Sequence, residues 1–280
     1  MGQARGERAC LAALLAKKTN EFCGGIPLRT IAIASQKGGT GKTTTAAALS
    51  CWAAEHGTKT LCVDLDPQGS LTHILQGDGD RPGAYEIMKG LPVDQAIQAR
   101  EGLPDIIPAS LQLAGADAEY SGKPGRDFFL KKALEPLAAD YGLIVLDTPP
   151  TLGTLLINSL TASNDVVIPV QADTFAMQSV FQLMDTISQV QQYCNQGLTV
   201  AGVLLTRYNG RTVLSRDHRE NLADRCVEMG LELFAASISE GIAVKEAQTL
   251  QRSLFQYAPK SRPALDYIEL MRELKIGGVN

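Results

Sequence analysis

The feature that most constrains this chain is a glycine- and lysine-rich run at residues 37–44, KGGTGKTT. It follows a mostly apolar segment, residues 30–36, and opens an alanine-rich segment, residues 43–54, that predicts a helix. A strand, a glycine-rich turn and a helix in this order form an anion-binding loop, because backbone N–H groups turn inward and the helix N-terminus adds partial positive charge. Lys42 is then placed to reach the β- and γ-phosphates of a nucleotide, and the Thr43 hydroxyl to hold Mg²⁺.

The spacing of this run departs from the standard P-loop. The standard pattern has glycine five residues before its Gly-Lys pair, a position that Gln36 occupies here, and the chain carries an extra lysine, Lys37. This variant, Lys-Gly-Gly-x-Gly-Lys-Thr, resembles the deviant Walker A ATPases, the family of the ParA, Soj and MinD proteins. The resemblance implies that Lys37 crosses a dimer interface and acts on the ATP of the partner subunit. It also implies nucleotide contacts along the whole loop, from Lys37, Gly38, Gly39, Thr40, Gly41, Lys42, Thr43 and Thr44.

Apolar strand patterns alternate with helical patterns along the rest of the chain. After the first strand, they cover residues 59–64, 103–108, 143–147, 165–170, 199–206 and 231–238. Helical patterns include residues 126–139, 152–162, 175–193, 213–229 and 264–274. Near-continuous apolar strands separated by helices favour a parallel sheet covered on both faces. We therefore predict an α/β fold of the P-loop NTPase type, with one mostly parallel twisted sheet, as a single ATPase domain over residues 29–280 after a helical arm over residues 1–28.

Two of the predicted strands end in aspartates that complement the loop. The second strand leads into DLDPQGS at residues 64–70, where two carboxylates can approach a Mg²⁺–phosphate centre through water. The fourth strand ends in Asp147, a Walker B pattern in which the carboxylate holds Mg²⁺ through water. In the family that the chain resembles, residues 64–70 are switch I, which implies that Asp66 orients the attacking water or supports the metal. No glutamate follows Asp147, and residues 148–153 resemble switch II, so slow hydrolysis is expected.

The resemblance also extends to the base of the nucleotide and to DNA. It implies that Arg207 and Asn209, after the sixth strand, contact adenine. Many relatives have Ile-Pro-Arg where this chain has ISE at residues 238–240, which removes one expected basic residue. Because the chain has a net charge of −4, DNA binding would need a local basic patch. In Soj-like proteins such residues lie in the C-terminal half; the candidates here are Arg211, Arg216, Arg219, Arg252 and Arg262.

The resemblance is strongest to the short ParA/Soj branch, and it implies an ATP-dependent switch that partitions a chromosome, plasmid or mobile element. The implied cofactors are ATP and Mg²⁺, and the implied partners are a second copy in an ATP-sandwich homodimer, non-specific DNA and a ParB-like centromere-binding protein. The expected location is cytoplasmic, with nucleoid association when ATP is bound. A MinD-like positioning ATPase, acting on a protein complex or a membrane site, is the alternative.

Three observations weigh against other classes. Residues 264–274 carry three acidic side chains against one arginine, unlike a basic membrane-binding helix, so no stable membrane association is expected. The six cysteines are scattered, and none lies between Cys62 and Cys194, so none near switch II could ligate an iron–sulfur cluster. A metabolic amidoligase is a remoter possibility, because the Asp-Pro-Gln segment after the second strand and the C-terminal half fit the partition ATPases better.

Overall fold

A computed structural model of the chain describes residues 28–278, except residues 172, 174, 175 and 211. The predicted N-terminal arm, apart from Leu28, and Arg211 lie outside the described residues. The strands are β1 (Arg29–Ile33), β2 (Thr60–Asp64), β3 (Asp105–Ile107), β4 (Leu143–Asp147), β5 (Asp165–Gln171), β6 (Thr199–Tyr208) and β7 (Leu233–Ser239). They form one sheet in the order β3-β2-β4-β1-β5-β6-β7, in which all neighbouring strands run parallel. The predicted α/β fold is confirmed.

Helices cover both faces of this sheet. They are α1 (Lys42–Glu55), α2 (Ser70–Ile74), α3 (Ala84–Met88), α4 (Ala116–Tyr120), α5 (Phe129–Leu134), α6 (Thr154–Ala162), α7 (Ala176–Tyr193), α8 (Val213–Glu228), α9 (Ile242–Thr249), α10 (Leu254–Tyr257) and α11 (Arg262–Leu274). The alternation of side chains along β1 divides the core in two. Ile31 and Ile33 pack on one face with residues of α1 and α11, whereas Ala32 packs on the other with residues of α6 and α7. Burial on both faces explains why the strands are almost wholly apolar.

The helix predicted over residues 126–139 is interrupted. The structure has a 3₁₀ turn at Arg126–Phe128, then α5, then a second 3₁₀ turn at Glu135–Ala139. The side chain of Asn158 replaces a helical hydrogen bond, because its Nδ2 donates to Arg126 O (2.9 Å) and its Oδ1 accepts from Leu130 N (3.0 Å). Pro136, which has no backbone N–H, disfavours a continuous α-helix at the other end. The apolar pattern of residues 126–139 does not predict this interruption, because it depends on Asn158 in another helix.

Both edges of the sheet are closed by groups of the same chain. At β7, Glu273 of α11 accepts hydrogen bonds from Ala235 N (2.9 Å) and Ala236 N (2.8 Å). At β3, Ile106 exchanges two backbone hydrogen bonds with Gln98, of 2.8 and 3.0 Å, in an isolated antiparallel bridge. An edge strand otherwise presents unpaired backbone groups to solvent.

The parallel arrangement brings the carboxyl ends of the central strands together. Asp147 at the end of β4 lies in register with Ile33 of β1 on one side and Asp64 of β2 on the other. Ligands of open α/β sheets bind at this edge. In the part of the chain that the structure describes, no helix has the length and apolar character needed to cross a membrane.

Candidate active site

The loop between β1 and α1 has the backbone of an anion-binding cradle. Gly39 and Gly41 have φ of 77° and 87°, a left-handed conformation that is costly for residues with a Cβ. Gly41 immediately precedes α1, and its carbonyl accepts the first helical hydrogen bond from Thr45 N (2.8 Å). The predicted strand, loop and helix are therefore present, with the helix N-terminus at the loop.

Two residues that the sequence analysis did not identify fix this loop to the sheet. The Thr206 hydroxyl at the end of β6 lies 2.8 Å from Thr40 O and 3.0 Å from Val170 O, so it bridges the loop and β5. Gln171 Nε2 donates to Gly39 O (2.5 Å). Both are polar residues at the ends of apolar strands, which is the only signal that the sequence gives for them.

Lys42 points into the protein rather than into solvent. Only 6% of it is exposed, and burial lowers the pKa of its ammonium group, while the nearby charges of Asp147 and Asp66 act in the opposite direction. Lys42 and these two aspartates therefore share one site, as predicted from three separate segments of the sequence.

Asp147 is the most unusual group at this edge of the sheet. It is fully buried, and neither carboxylate oxygen has a hydrogen-bond partner in the described structure. Burial raises the pKa of Asp147 well above its ordinary value, and the charge of Asp64 adds to this, while the Thr43 hydroxyl and Lys42 oppose it. A buried carboxylate without partners is costly unless a cation compensates it. These oxygens thus fit a Mg²⁺ held in part through water.

The carboxylates of Asp64 and Asp66 have different surroundings. Asp64 is buried and accepts hydrogen bonds from Thr72 N (2.7 Å), Thr72 Oγ1 (2.8 Å) and Asp66 N (3.1 Å). Burial nevertheless raises the pKa of Asp64 to about 6. Asp66 is half-buried, and its carboxylate accepts a hydrogen bond from Gln68 N (3.0 Å). That both carboxylates approach the metal stays a prediction; the structure binds Asp64 to Thr72 and to Asp66 N and leaves Asp66 partly exposed.

The protein supplies few direct ligands for a metal at this site. The described residues contain no group of three or more His, Cys, Asp or Glu side chains that could hold an ion. Mg²⁺ commonly keeps several waters and is bound through one or two protein oxygens together with substrate phosphates. The donor set of Thr43, Asp147 and Asp66 is consistent with that mode and not with a metal cage.

Lys37 forms an ion pair within its own chain. Its Nζ contacts the carboxylate of Asp173, in the segment after β5, and 40% of the lysine side chain is exposed. The sequence analysis did not anticipate this partner. The pair holds Lys37 against its own subunit, so an action on a neighbouring molecule requires the pair to break.

A cavity of about 190 Å³ continues from the loop toward the ends of β6 and β7. Gly41, Thr44 and Arg207 line it, together with Glu240 after β7. Arg207 adopts a left-handed backbone conformation (φ 51°), and its guanidinium lies 2.7 Å from Glu240 Oε1. Arg207 is therefore beside the loop, whereas Asn209 lines an adjoining cavity of about 990 Å³.

The structure brings only some of the candidate DNA-binding residues together. Arg219 and Arg262 line the 990 Å³ cavity, along with the acidic Glu240, Asp266 and Glu269. Arg262 pairs with Asp266 at 2.8 Å. The other two described candidates do not line this cavity. Arg216 donates to the carbonyl of Gly210, which does line it (3.2 Å), and Arg252 lies beside Thr44 and Gln248 on a different surface.

Comparison with known proteins gives matches over most of the chain. A protein-family model described as an AAA domain matches residues 28–200. Sporulation initiation inhibitor protein Soj of Bacillus subtilis is 36% identical over 263 residues, which are 89% of this chain and 98% of that protein. Chromosome-partitioning ATPase Soj of Thermus thermophilus is 36% identical over 247 residues, 88% of this chain and 95% of that protein.

Among solved structures, cobyrinic acid a,c-diamide synthase from Mycobacterium smegmatis, with bound ATP analog and magnesium, is similar throughout. It is 37% identical, the match covers 89% of this chain and 97% of that one, and the TM-score is 0.77. The residues matched by the AAA-domain model include Lys37, the buried Lys42 and the two strand-end aspartates, Asp64 and Asp147. With relatives above 30% identity over nearly their whole length, the chain belongs to the ParA/Soj family of ATPases.

Proposed function

We propose that this chain is an ATP-dependent molecular switch that hydrolyses ATP to ADP and phosphate and serves in DNA partitioning. The observation that carries the proposal is the buried, unpartnered Asp147 beside the inward-pointing Lys42 at the end of a P-loop. A cation at Asp147 and a polyphosphate at Lys42 would compensate both buried charges. The name of the Thermus thermophilus relative, a chromosome-partitioning ATPase, supports the partitioning role.

The residues of the site have separate roles in binding and hydrolysis. The loop amides and Lys42 bind the β- and γ-phosphates, and Thr43 and Asp147 hold the metal. Mg²⁺, when held there, would neutralise charge on the phosphate oxygens. Asp66, half-exposed at the start of the switch segment, orients the attacking water. No glutamate follows Asp147, so turnover is slow until a partner protein completes the site.

Lys37 acts on the nucleotide of a second copy of the chain. Its ion pair with Asp173 breaks when the ATP-bound subunits meet, and the lysine then stabilises charge on the transferred phosphoryl group. An arginine in the equivalent role in GTPases accelerates hydrolysis by about 10³–10⁵-fold. The dimer thus forms only around ATP. In that state the basic residues at its edge, Arg216, Arg219 and Arg262 among them, bind DNA through phosphates.

Amide synthesis is the second candidate, because the M. smegmatis structure bears the name of a synthase. Glutamine-dependent amide synthesis uses a reactive thiolate. Burial raises the pKa of the thiols of Cys51, Cys62, Cys194 and Cys226, and three of the four are buried. No described cysteine therefore has the properties of that nucleophile, and the partition ATPase is favoured.

Co-sedimentation with DNA tests the proposal. The purified chain is mixed with non-specific duplex DNA and ATP, ADP or no nucleotide, with Mg²⁺, at low and moderate salt. We expect binding with ATP alone, and a steep loss of binding with salt, because phosphate contacts release counterions. Lys42→Ala should bind neither nucleotide nor DNA. Equal DNA binding in all three nucleotide states would refute the switch, and glutamine hydrolysis without ATP-dependent DNA binding would favour the synthase.

A further inference from the structure

The segment at residues 108–117 contacts the chain next to both switch segments of the nucleotide site. It follows β3, passes through a 3₁₀ turn at Leu111–Gly115 and enters α4. Near its start it is hydrogen-bonded to α2, which follows switch I (residues 64–70), and near its end to α6, which follows switch II (residues 148–153). The two switches follow different strands, so this segment links parts of the site that are distant in the sequence.

The contact with switch I passes through Thr72 of α2. Ala109 N donates to Thr72 Oγ1 (2.9 Å), and this hydroxyl donates to Asp64 Oδ2 (2.8 Å). Pro108 O, at the preceding residue of the segment, accepts from Ala84 N at the start of α3 (2.9 Å). Because Thr72 is 5% exposed and Ala109 is 3% exposed, little water competes for these bonds. The start of the segment is therefore fixed both to α3 and to switch I.

The contact with switch II is a helix cap supplied from outside the helix. α6 begins at Thr154, and Gly153, the residue before it, has no side chain that could cap the helix. Asp117 Oδ1 instead accepts a hydrogen bond from Thr154 N (2.5 Å). A side-chain oxygen in this place satisfies a free N–H of the first turn, and its negative charge interacts favourably with the helix dipole. Asp117 therefore fixes the point at which switch II ends.

Asp117 is carried by a helix that is itself anchored. On α4, Glu119 Oε2 accepts from Tyr85 Oη of α3 (2.7 Å). Tyr120, the last residue of α4, is 1% exposed, and its ring packs edge-on against Phe129 with centroids 5.4 Å apart. The carboxylate that caps α6 thus has a fixed origin in the core, although Asp117 itself is exposed.

Switch II is fixed at both ends and has few donors between them. At its start, Thr148 Oγ1 donates to Ile33 O at the end of β1 (2.9 Å), and at its end Asp117 holds α6. Pro149 and Pro150 have no backbone N–H, so they cannot donate hydrogen bonds that would fix this stretch. The conformation of switch II, directly after β4, therefore depends strongly on its two end contacts.

We propose that Asp117 is a positioning residue for ATP hydrolysis and that the 108–117 segment couples the two switches. Asp117 lies on α4 and binds a backbone N–H, so it acts through switch II and not on the nucleotide. The coupling path runs from Thr154 through the segment to Ala109 and Thr72. A displacement of about 1 Å at a catalytic site can lower a rate about a hundredfold. The effect on turnover rests on the proposed function; the coupling itself does not.

The hydrolysis rate of Asp117→Ala tests the positioning role. The variant removes the cap of α6, so kcat for ATP with Mg²⁺ should fall about three- to tenfold, while the dissociation constant of ATP changes less than about twofold. Asp117→Asn keeps a side-chain acceptor and should restore kcat to within about twofold of the unmodified chain, because asparagine caps helices as well as aspartate does. Asp140→Ala is the matched control and should leave kcat within about twofold, since this exposed aspartate lies outside the segment and both switches.

Hydrogen–deuterium exchange of the full chain without nucleotide tests the coupling independently of hydrolysis. Asp117→Ala should raise exchange about threefold or more in peptides that cover residues 151–157, and also in peptides that cover residues 66–73. Thr72→Val, at the other end of the path, should raise exchange in the same two regions. Peptides of β5 report unfolding of the whole chain and should not change, and Asp140→Ala should alter none of these peptides.

The outcomes separate the two parts of the proposal. If kcat of Asp117→Ala equals that of Asp140→Ala, or if Asp117→Asn is as slow as Asp117→Ala, the positioning role is wrong. Loss of ATP affinity in proportion to kcat would overturn it as well. Exchange that rises next to only one switch would refute the coupling. If the unmodified chain binds ATP but does not hydrolyse it, the proposed function fails, and the exchange data still decide whether the segment couples the switches.

Discussion

Thr72 links switch I to the core, and its replacement gives a measurable test of this description. The side chain is 5% exposed, and its hydroxyl donates to Asp64 Oδ2 (2.8 Å) and accepts from Ala109 N (2.9 Å). Thr72→Val keeps the shape but removes both bonds. The substitution leaves the backbone N–H of Ala109 without a partner, at a cost of about 1–3 kcal/mol. It also removes a hydrogen bond to the Asp64 carboxylate that is worth about 1.5–3 kcal/mol.

Because the two losses are not fully additive, we expect Thr72→Val to lower the free energy of unfolding by about 3 kcal/mol. For a chain of 280 residues, with an unfolding entropy of about 2.1 cal/mol/K per residue, that corresponds to a fall in melting temperature of roughly 5 °C. Thr72→Ser is the matched control, since it keeps the hydroxyl and removes one methyl group, at a cost of about 1 kcal/mol. Urea unfolding of both variants measures the difference. If the free energies of unfolding of Thr72→Val and Thr72→Ser differ by less than about 0.5 kcal/mol, the hydrogen bonds to Asp64 and Ala109 contribute little to stability and the reasoning fails.

The pH dependence of the same variant gives a second test. The folded pKa of Asp64 is about 6, above the value near 3.8 of an unperturbed aspartate, so the folded chain binds this proton more tightly than the unfolded chain. The contribution of this group to stability is therefore greatest below about pH 4 and falls as pH rises through 6. Loss of the Thr72 hydroxyl raises the pKa of Asp64 further. The loss of unfolding free energy caused by Thr72→Val should consequently be larger at pH 8 than at pH 4. A loss that does not depend on pH would contradict the role of Thr72 as a hydrogen-bond donor to the Asp64 carboxylate.

Two further predictions concern the end of switch II and the ion pair of Lys37. A Cβ at Gly153 would lie 2.3 Å from Asp117 Oδ2, so Gly153→Ala should displace the carboxylate that caps α6. The free energy of unfolding in urea should fall by about 2–3 kcal/mol. Gly115→Ala is the control and should be nearly neutral, because a Cβ at Gly115 would meet no atom within 4 Å. Asp173→Asn should free Lys37, because it removes the charge that pairs with this lysine. Since exposed ion pairs contribute about 0.2–1 kcal/mol, the protein concentration needed for ATP-driven dimerisation should fall by about two- to fivefold in analytical ultracentrifugation. Unchanged or weaker dimerisation would show that the pair does not restrain Lys37.

The sequence predicted the architecture because its signals are local. The apolar strands and the glycine-rich loop are contiguous patterns, and the aspartates that follow strands must meet at one edge of a parallel sheet. The structure accordingly places Lys42, Asp66 and Asp147 in one site, as expected. The sequence also predicted all seven strands, with boundaries shifted by a few residues.

The features that escaped prediction depend on residues distant in the chain. The helix over residues 126–139 is interrupted by Asn158, and Lys37 is held by Asp173 more than a hundred residues away. The resemblance singled out Asp66 in the switch segment, but only the structure shows that Thr72 binds Asp64. Periodicity reports which face of an element is buried, and it carries no information about which polar side chain reaches a particular backbone group.

The closure of the sheet at Glu273 and at Gln98 has a consequence for how the molecule behaves when it is abundant. Copies of the chain cannot readily lengthen one another's sheets, because at both margins backbone groups that a neighbour would need are already bonded. Crowding, which brings many copies of a protein together, then carries little risk of templated fibre growth from the folded state. Association of folded copies through the margins of the sheet is therefore disfavoured at these positions.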